Sequence, residues 1–125
     1  METASDAGAE VVFVPSPPIR PDEFYAPHMD EIDRTPEVAG DVAANSDDQA
    51  VLLDSTVVWD DAYQRDGDGE RDRSDDGIHT CPQGAARFTG WLMEELANRY
   101  SGFTPADPQD WANDGWAADE IFTGC

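Results

Sequence analysis

The four residues Asp76-Gly77-Ile78-His79 carry the types and the spacing that acid-base chemistry needs. A histidine acting as general base keeps one ring nitrogen for the proton it removes. The other nitrogen must be held by an acceptor, which fixes the tautomer and stabilises the imidazolium that forms. A short turn can bring a carboxylate and a ring to one point, and Gly77 gives this turn conformational freedom. The same two side chains could instead cap and orient the helix that follows. The stretch therefore supports two readings: a catalytic pair with His79 as base and Asp76 as its orienting acid, or a structural helix start.

A base needs a nucleophile to activate, and the chain offers poor ones. Ser55 follows Asp54 at the end of an apolar run, but only twenty residues separate it from Asp76, and VVWDDAYQ after it shows no helix to supply a positive end. Cys81 lies at a helix start, where a thiolate is stabilised, yet only two residues from His79, and a disulfide to Cys125 is the alternative. His28, in YAPHMDE, has no partner motif and reads as a surface residue. The acidic stretch 60–77 invites a calcium loop, because hard cations want carboxylates at alternating positions. Counted from Asp66, Arg71 takes the place of the turn glycine and Gly77 that of the bidentate glutamate; counted from Asp72, Gln83 replaces the glutamate. The stretch reads as a solvated loop, and no metal or cofactor is expected.

The elements that must position this pair are legible from apolar patterning. EVVFV at 10–14 is a short, continuous β-branched run stopped by PSPP, as a strand of a parallel sheet reads. QAVLLDST at 49–56 is a second such run, with both faces expected to be covered. Between them, 21–46 is helical in pieces divided by Pro27 and Pro36. Thr35 and Pro36 suit the N-cap and first turn of a helix with Val38 and Val42 on one face. Strand, helix and strand in that order predict a right-handed βαβ crossover. After the polar loop, Thr80 and Gln83 form a T-x-x-Q capping box with Pro82 in the first turn, and Phe88, Leu92 and Leu96 recur every four residues, giving a helix to about Tyr100. Residues 102–125 carry turn residues and two tryptophans without a period, and are expected to be an irregular tail of a single domain spanning 1–125.

Taken together, VVFVPSPP, the strand ending LLDST, the polar loop, DGIHTCPQGAARF and the amphipathic helix resemble the C-terminal end of the SGNH, or GDSL-like, hydrolase family over roughly residues 10–100. In that family an Asp-x-x-His motif precedes the last helix, with a Gly-Ala pair just inside it, as Gly84 and Ala85 are here. The resemblance implies His79 as general base, Asp76 as its acid, a partial three-layer α/β/α sandwich with a short parallel sheet, flavodoxin-like and lacking its N-terminal strands, and acyl ester or O-acylated carbohydrate substrates. The family's nucleophilic serine, in a Gly-Asp-Ser motif after the first strand, and its oxyanion-hole glycine and asparagine are not in this chain. The expectation is a fragment carrying two members of a Ser-His-Asp triad and inactive alone. ETASDAGAEVVFV reads as the close of a helix entering a strand, which fits a longer domain. The rival is a noncatalytic acidic binding or interaction module.

Twenty-eight acidic residues against seven basic ones, all arginine, give a formal net charge of −21. Phosphate backbones and anionic lipid would be repelled, so neither nucleic acid nor a membrane surface is expected as a partner. No apolar run reaches the length of a membrane span, and METASDAGAE lacks the basic start and apolar stretch of a signal peptide. A bridge between Cys81 and Cys125 would stabilise by about 4 kcal/mol through loop closure and favour an extracytoplasmic, oxidising compartment. Two buried thiols in a cytosolic protein read identically.

Overall fold

The computed structural model describes residues 2–110 and 123–125. Its contacts gather in two compact units, Met1–Pro17 with Pro21–Ser55, and Pro18–Arg20 with Thr56–Cys125. Trp111 and Trp116 of the expected tail lie outside the described residues.

In the first unit a short helix α1 (Glu2–Asp6) leads into strand β1 (Val11–Phe13). A 3-10 turn at Ala26–His28 and helices α2 (Met29–Asp33) and α3 (Thr35–Ala44) follow, then strand β2 (Ala50–Leu52). The strands pair in parallel, Val11 opposite Ala50 and Phe13 opposite Leu52. Hydrogen bonds from Val11 N to Gln49 O (3.0 Å) and Leu53 N to Phe13 O (2.9 Å) extend the ladder at both ends. The parallel strand-helix-strand order expected from the two apolar runs is therefore present, as a sheet of two short strands.

Two expectations for α3 are corrected. Thr35 is the first helical residue, not the N-cap, and its hydroxyl donates to Glu31 O at 3.2 Å, closing the preceding turn. Val38 and Val42 point outward, 49% and 37% exposed. The half-buried positions are Pro36, Ala39, Gly40 and Ala43, a helical stripe of small residues. A side chain added at Gly40 would come within 3.6 Å of Leu52 Cδ2, so small residues let the helix approach the sheet where valines would hold it off. Both strands are only half-buried, apart from Ala50 and the neighbouring Leu53, so β2 is less covered than its apolar run suggested.

The second unit is built on helix α5 (Pro82–Arg99), which ends one residue short of Tyr100. A one-turn helix α4 (Thr56–Trp59) lies against it. The Trp59 ring, 6% exposed, stacks on Phe88 with centroids 5.6 Å apart, and Phe88 meets Trp91 at the same distance. Pairs of this kind contribute about 0.5–1.5 kcal/mol beyond their buried area. No helix among the described residues is long and apolar enough to cross a membrane.

Candidate active site

The segment expected to be a solvated loop is ordered by turn chemistry. Strands β3 (Asp66–Gly67) and β4 (Glu70–Arg71) form a small antiparallel hairpin closed by Asp68 and Gly69, at φ +53° and +85°. Two central residues with positive φ are what a two-residue hairpin turn requires. The chain then buries Asp72, Arg73 and Ser74, each 2% exposed or less. Arg73 bridges Thr80 in antiparallel fashion, flanked by Ser74 N to His79 O at 3.0 Å and Cys81 N to Asp72 O at 2.8 Å. This bridge occupies Thr80, so the N-cap of α5 falls on Cys81, without a side-chain cap bond, instead of on the expected Thr80 and Gln83 box. Gly84 makes the close passage feasible: a Cβ there would lie 2.5 Å from Asp72 O and 2.8 Å from Asp72 Cα.

Asp76 and His79 stand at the tip of the loop between the paired residues 72–74 and 79–81. Gly77 turns the chain with φ +76° and donates to Ser74 O at 3.0 Å. Asp76 Oδ2 accepts from His79 Nδ1 at 2.7 Å. Since an ionised carboxylate only accepts, the ring must carry its proton on Nδ1, which leaves Nε2 as the basic nitrogen. The other carboxylate oxygen, Oδ1, accepts from Ser74 Oγ (2.7 Å), Ile78 N (2.7 Å) and His79 N (3.0 Å). Partial burial is the largest single influence on the carboxyl and pushes its pKa up, but the hydrogen bonds from Ser74, the His79 ring and the two backbone amides together outweigh it. They hold Asp76 well below the usual carboxylate range. The pair faces solvent, with the His79 side chain 49% and that of Asp76 40% exposed.

Five of the seven arginines support this loop. Arg20 donates from its backbone to Gly77 O (3.0 Å) and from its guanidinium to Asp75 O (2.5 Å), while Arg65 pairs with the Asp75 carboxylate at 2.5 Å. Arg87 pairs with the buried Asp72 and donates to Val58 O at 2.6 Å. Cys81 and Cys125 form a disulfide, Cα atoms 5.3 Å apart. It draws the chain end onto the loop, where Asp75 N donates to Thr123 O (2.7 Å) and Arg71 Nη1 to Gly124 O (2.8 Å). Arg73 reaches Pro18 O, Gly77 O and Ile78 O, and also lines a cavity of about 320 Å³ with Trp59, Arg87, Asp60, Asp66 and Asp68 among its other residues. Neither Asp76 nor His79 lines it.

The other nucleophile candidates are committed elsewhere. Ser55 is 2% exposed and its hydroxyl donates to Pro15 O at 2.8 Å. Cys81 is disulfide-bonded and 2% exposed. His28 is exposed beside Phe24, with ring centroids 6.5 Å apart. Among the described residues no three His, Cys, Asp or Glu side chains are grouped to hold a metal ion. Asp66 of the rejected calcium loop pairs with Arg71 at 2.7 Å. Sequence reasoning missed Ser74 and Arg73; the signal available for Ser74 was a hydroxyl two residues before Asp76, and Arg73, set between Asp72 and Ser74, carried none.

No protein-family model, curated protein or solved structure matches the chain. The class that fold and site define is accordingly broad: a mixed α/β chain with a short parallel sheet and a surface pair of carboxylate and imidazole.

Proposed function

We propose that the chain is the C-terminal part of an SGNH-type ester hydrolase or acyltransferase domain, in which His79 is the general base and Asp76 its orienting acid. The observation that carries this reading is the 2.7 Å hydrogen bond from His79 Nδ1 to a carboxylate held anionic by three further donors. The parallel strand pair is compatible with part of a three-layer α/β/α sandwich. The disulfide favours an oxidising, extracytoplasmic setting.

In the complete site a serine outside these residues attacks the acyl carbonyl carbon while its hydroxyl proton passes to His79 Nε2. The tetrahedral intermediate collapses, the leaving alkoxide takes that proton, and an acyl-serine remains. Water or a sugar hydroxyl then attacks the acyl group, its proton moving through His79 to the serine oxygen. Asp76 stays ionised throughout and stabilises the imidazolium. The substrates of this reading are acyl esters or O-acylated carbohydrates.

With Ser55 and Cys81 both committed, the chain alone should turn over p-nitrophenyl acetate no faster than an equal concentration of free imidazole. Faster, saturable turnover that is lost in His79→Ala would require a nucleophile other than His79 within the chain and overturn the fragment reading. A second reading has its own observation: the three donors to Asp76 Oδ1 are the bonding of a structural turn. In that noncatalytic module the pair only holds the approach to α5. The coding sequence upstream discriminates, since the hydrolase reading requires a strand followed by Gly-Asp-Ser there.

A further inference from the structure

We propose that Arg73 is the positioning residue of the acid-base pair, setting the separation of Asp76 and His79 without touching either side chain. Gly77 and Ile78 are the two residues between them, and the orientation of their peptide groups decides whether carboxylate and ring meet. Arg73 Nη2 donates to both carbonyls, at 3.4 Å to Gly77 O and 2.5 Å to Ile78 O, while Nη1 donates to Pro18 O at 3.0 Å. One planar fork thus fixes the turn between acid and base against residue 18. A lysine ammonium, a single point charge, cannot hold three carbonyls in that arrangement.

The surroundings of Arg73 fit positioning better than stabilisation. The residue is 1% exposed, and burial lowers its pKa, partly offset by Tyr63, Asp76 and Asp72. Its hydrogen bonds to Pro18, Gly77 and Ile78 all go to carbonyl oxygens, and its Nε has no hydrogen-bond partner among the described residues. A buried cation so arranged is weak evidence for stability. The guanidinium is instead held in place by aromatic faces, its Cζ 5.9 Å from the Trp59 centroid and 5.8 Å from that of Tyr63. The stack fixes the fork and the fork fixes the turn.

This inference rests on the reading of Asp76 and His79 as a functional pair, and imidazole ¹⁵N NMR separates the two. In the natural chain His79 should show the Nδ1–H tautomer, with His28 as internal reference. Arg73→Lys should keep the fold by circular dichroism while the ratio of Nδ1–H to Nε2–H tautomer falls at least ~5-fold, as loss of about one hydrogen bond implies. Arg73→Ala should lose the same signature and regain it with millimolar n-propylguanidinium, which replaces the fork. An unchanged tautomer ratio in Arg73→Lys, with the natural chain in the Nδ1–H form, overturns the role of Arg73 alone. If Arg73→Lys does not fold, the rescue decides: a restored fold without a restored tautomer overturns the proposal. Absence of the Nδ1–H form in the natural chain removes the pair itself, and this inference with it.

Discussion

Replacing Asp76 by asparagine isolates what the carboxylate does for His79. The amide oxygen can keep the three bonds now made by Oδ1, from Ser74 Oγ, Ile78 N and His79 N. The amide nitrogen then takes the place of Oδ2, 2.7 Å from His79 Nδ1, and presents a donor where an acceptor stood. Rotating the amide to serve the ring would aim its NH₂ at two backbone N–H groups, so the ring must yield instead and become an Nε2–H tautomer. A hydrogen bond to a charged acceptor is worth about 1.5–3 kcal/mol, and less where solvent competes; for this half-exposed pair about 1 kcal/mol is reasonable. The tautomer ratio should therefore shift by ~5-fold or more, and melting should fall by about 5 °C. In a complete triad the wrong tautomer costs about 10⁴-fold in kcat. Imidazole ¹⁵N shifts and a thermal melt read both effects. Retention of the Nδ1–H form in Asp76→Asn would refute the tautomer-setting role.

Three other predictions address the supporting structure. Because the folded-state pKa of Asp76 is depressed below its unfolded value near 4, its stabilisation is complete above about pH 5 and lost on acidification below that; melting curves from pH 6 to 3 should fall more steeply for the natural chain than for Asp76→Asn, and parallel curves would contradict the shift. Gly84→Ala places a Cβ 2.5 Å from Asp72 O, and should destabilise by about 1–3 kcal/mol in urea titration despite the better helix propensity of alanine; a neutral or stabilising result would deny the close passage. Cys125→Ser opens a link spanning a sequence separation of 44 residues, and should cost up to about 4 kcal/mol, matched by the natural chain under dithiothreitol; equal stability with and without reductant would mean the bridge does not form in solution.

What could be read from residues alone follows how local each cause is. The continuous runs at 10–14 and 49–56 gave paired strands, and the four-residue recurrence from Phe88 gave α5, because apolar periodicity reports burial directly. The Asp76 and His79 contact was legible because it is closed by a turn of four residues. The burial of residues 72–74 was not, since a buried arginine satisfied by the carbonyls of Pro18, Gly77 and Ile78 leaves no period in the sequence. The Asp68-Gly69 hairpin had a local signal, Asp-Gly between short segments, masked by the acidity around it. The apolarity of Val38 and Val42 points to the wrong face of α3, because a close helix-sheet approach selects the small residues at Pro36, Ala39, Gly40 and Ala43 and leaves the valines outside.

In the proposed function Asp76 and His79 serve a serine outside these 125 residues. Fluorophosphonate labelling with peptide mapping, on the protein expressed from a coding sequence extended upstream of Met1, tests it most directly. One serine upstream of Met1 should be labelled, with labelling abolished by His79→Ala. A label on any serine within 1–125, or labelling indifferent to His79→Ala, would contradict it.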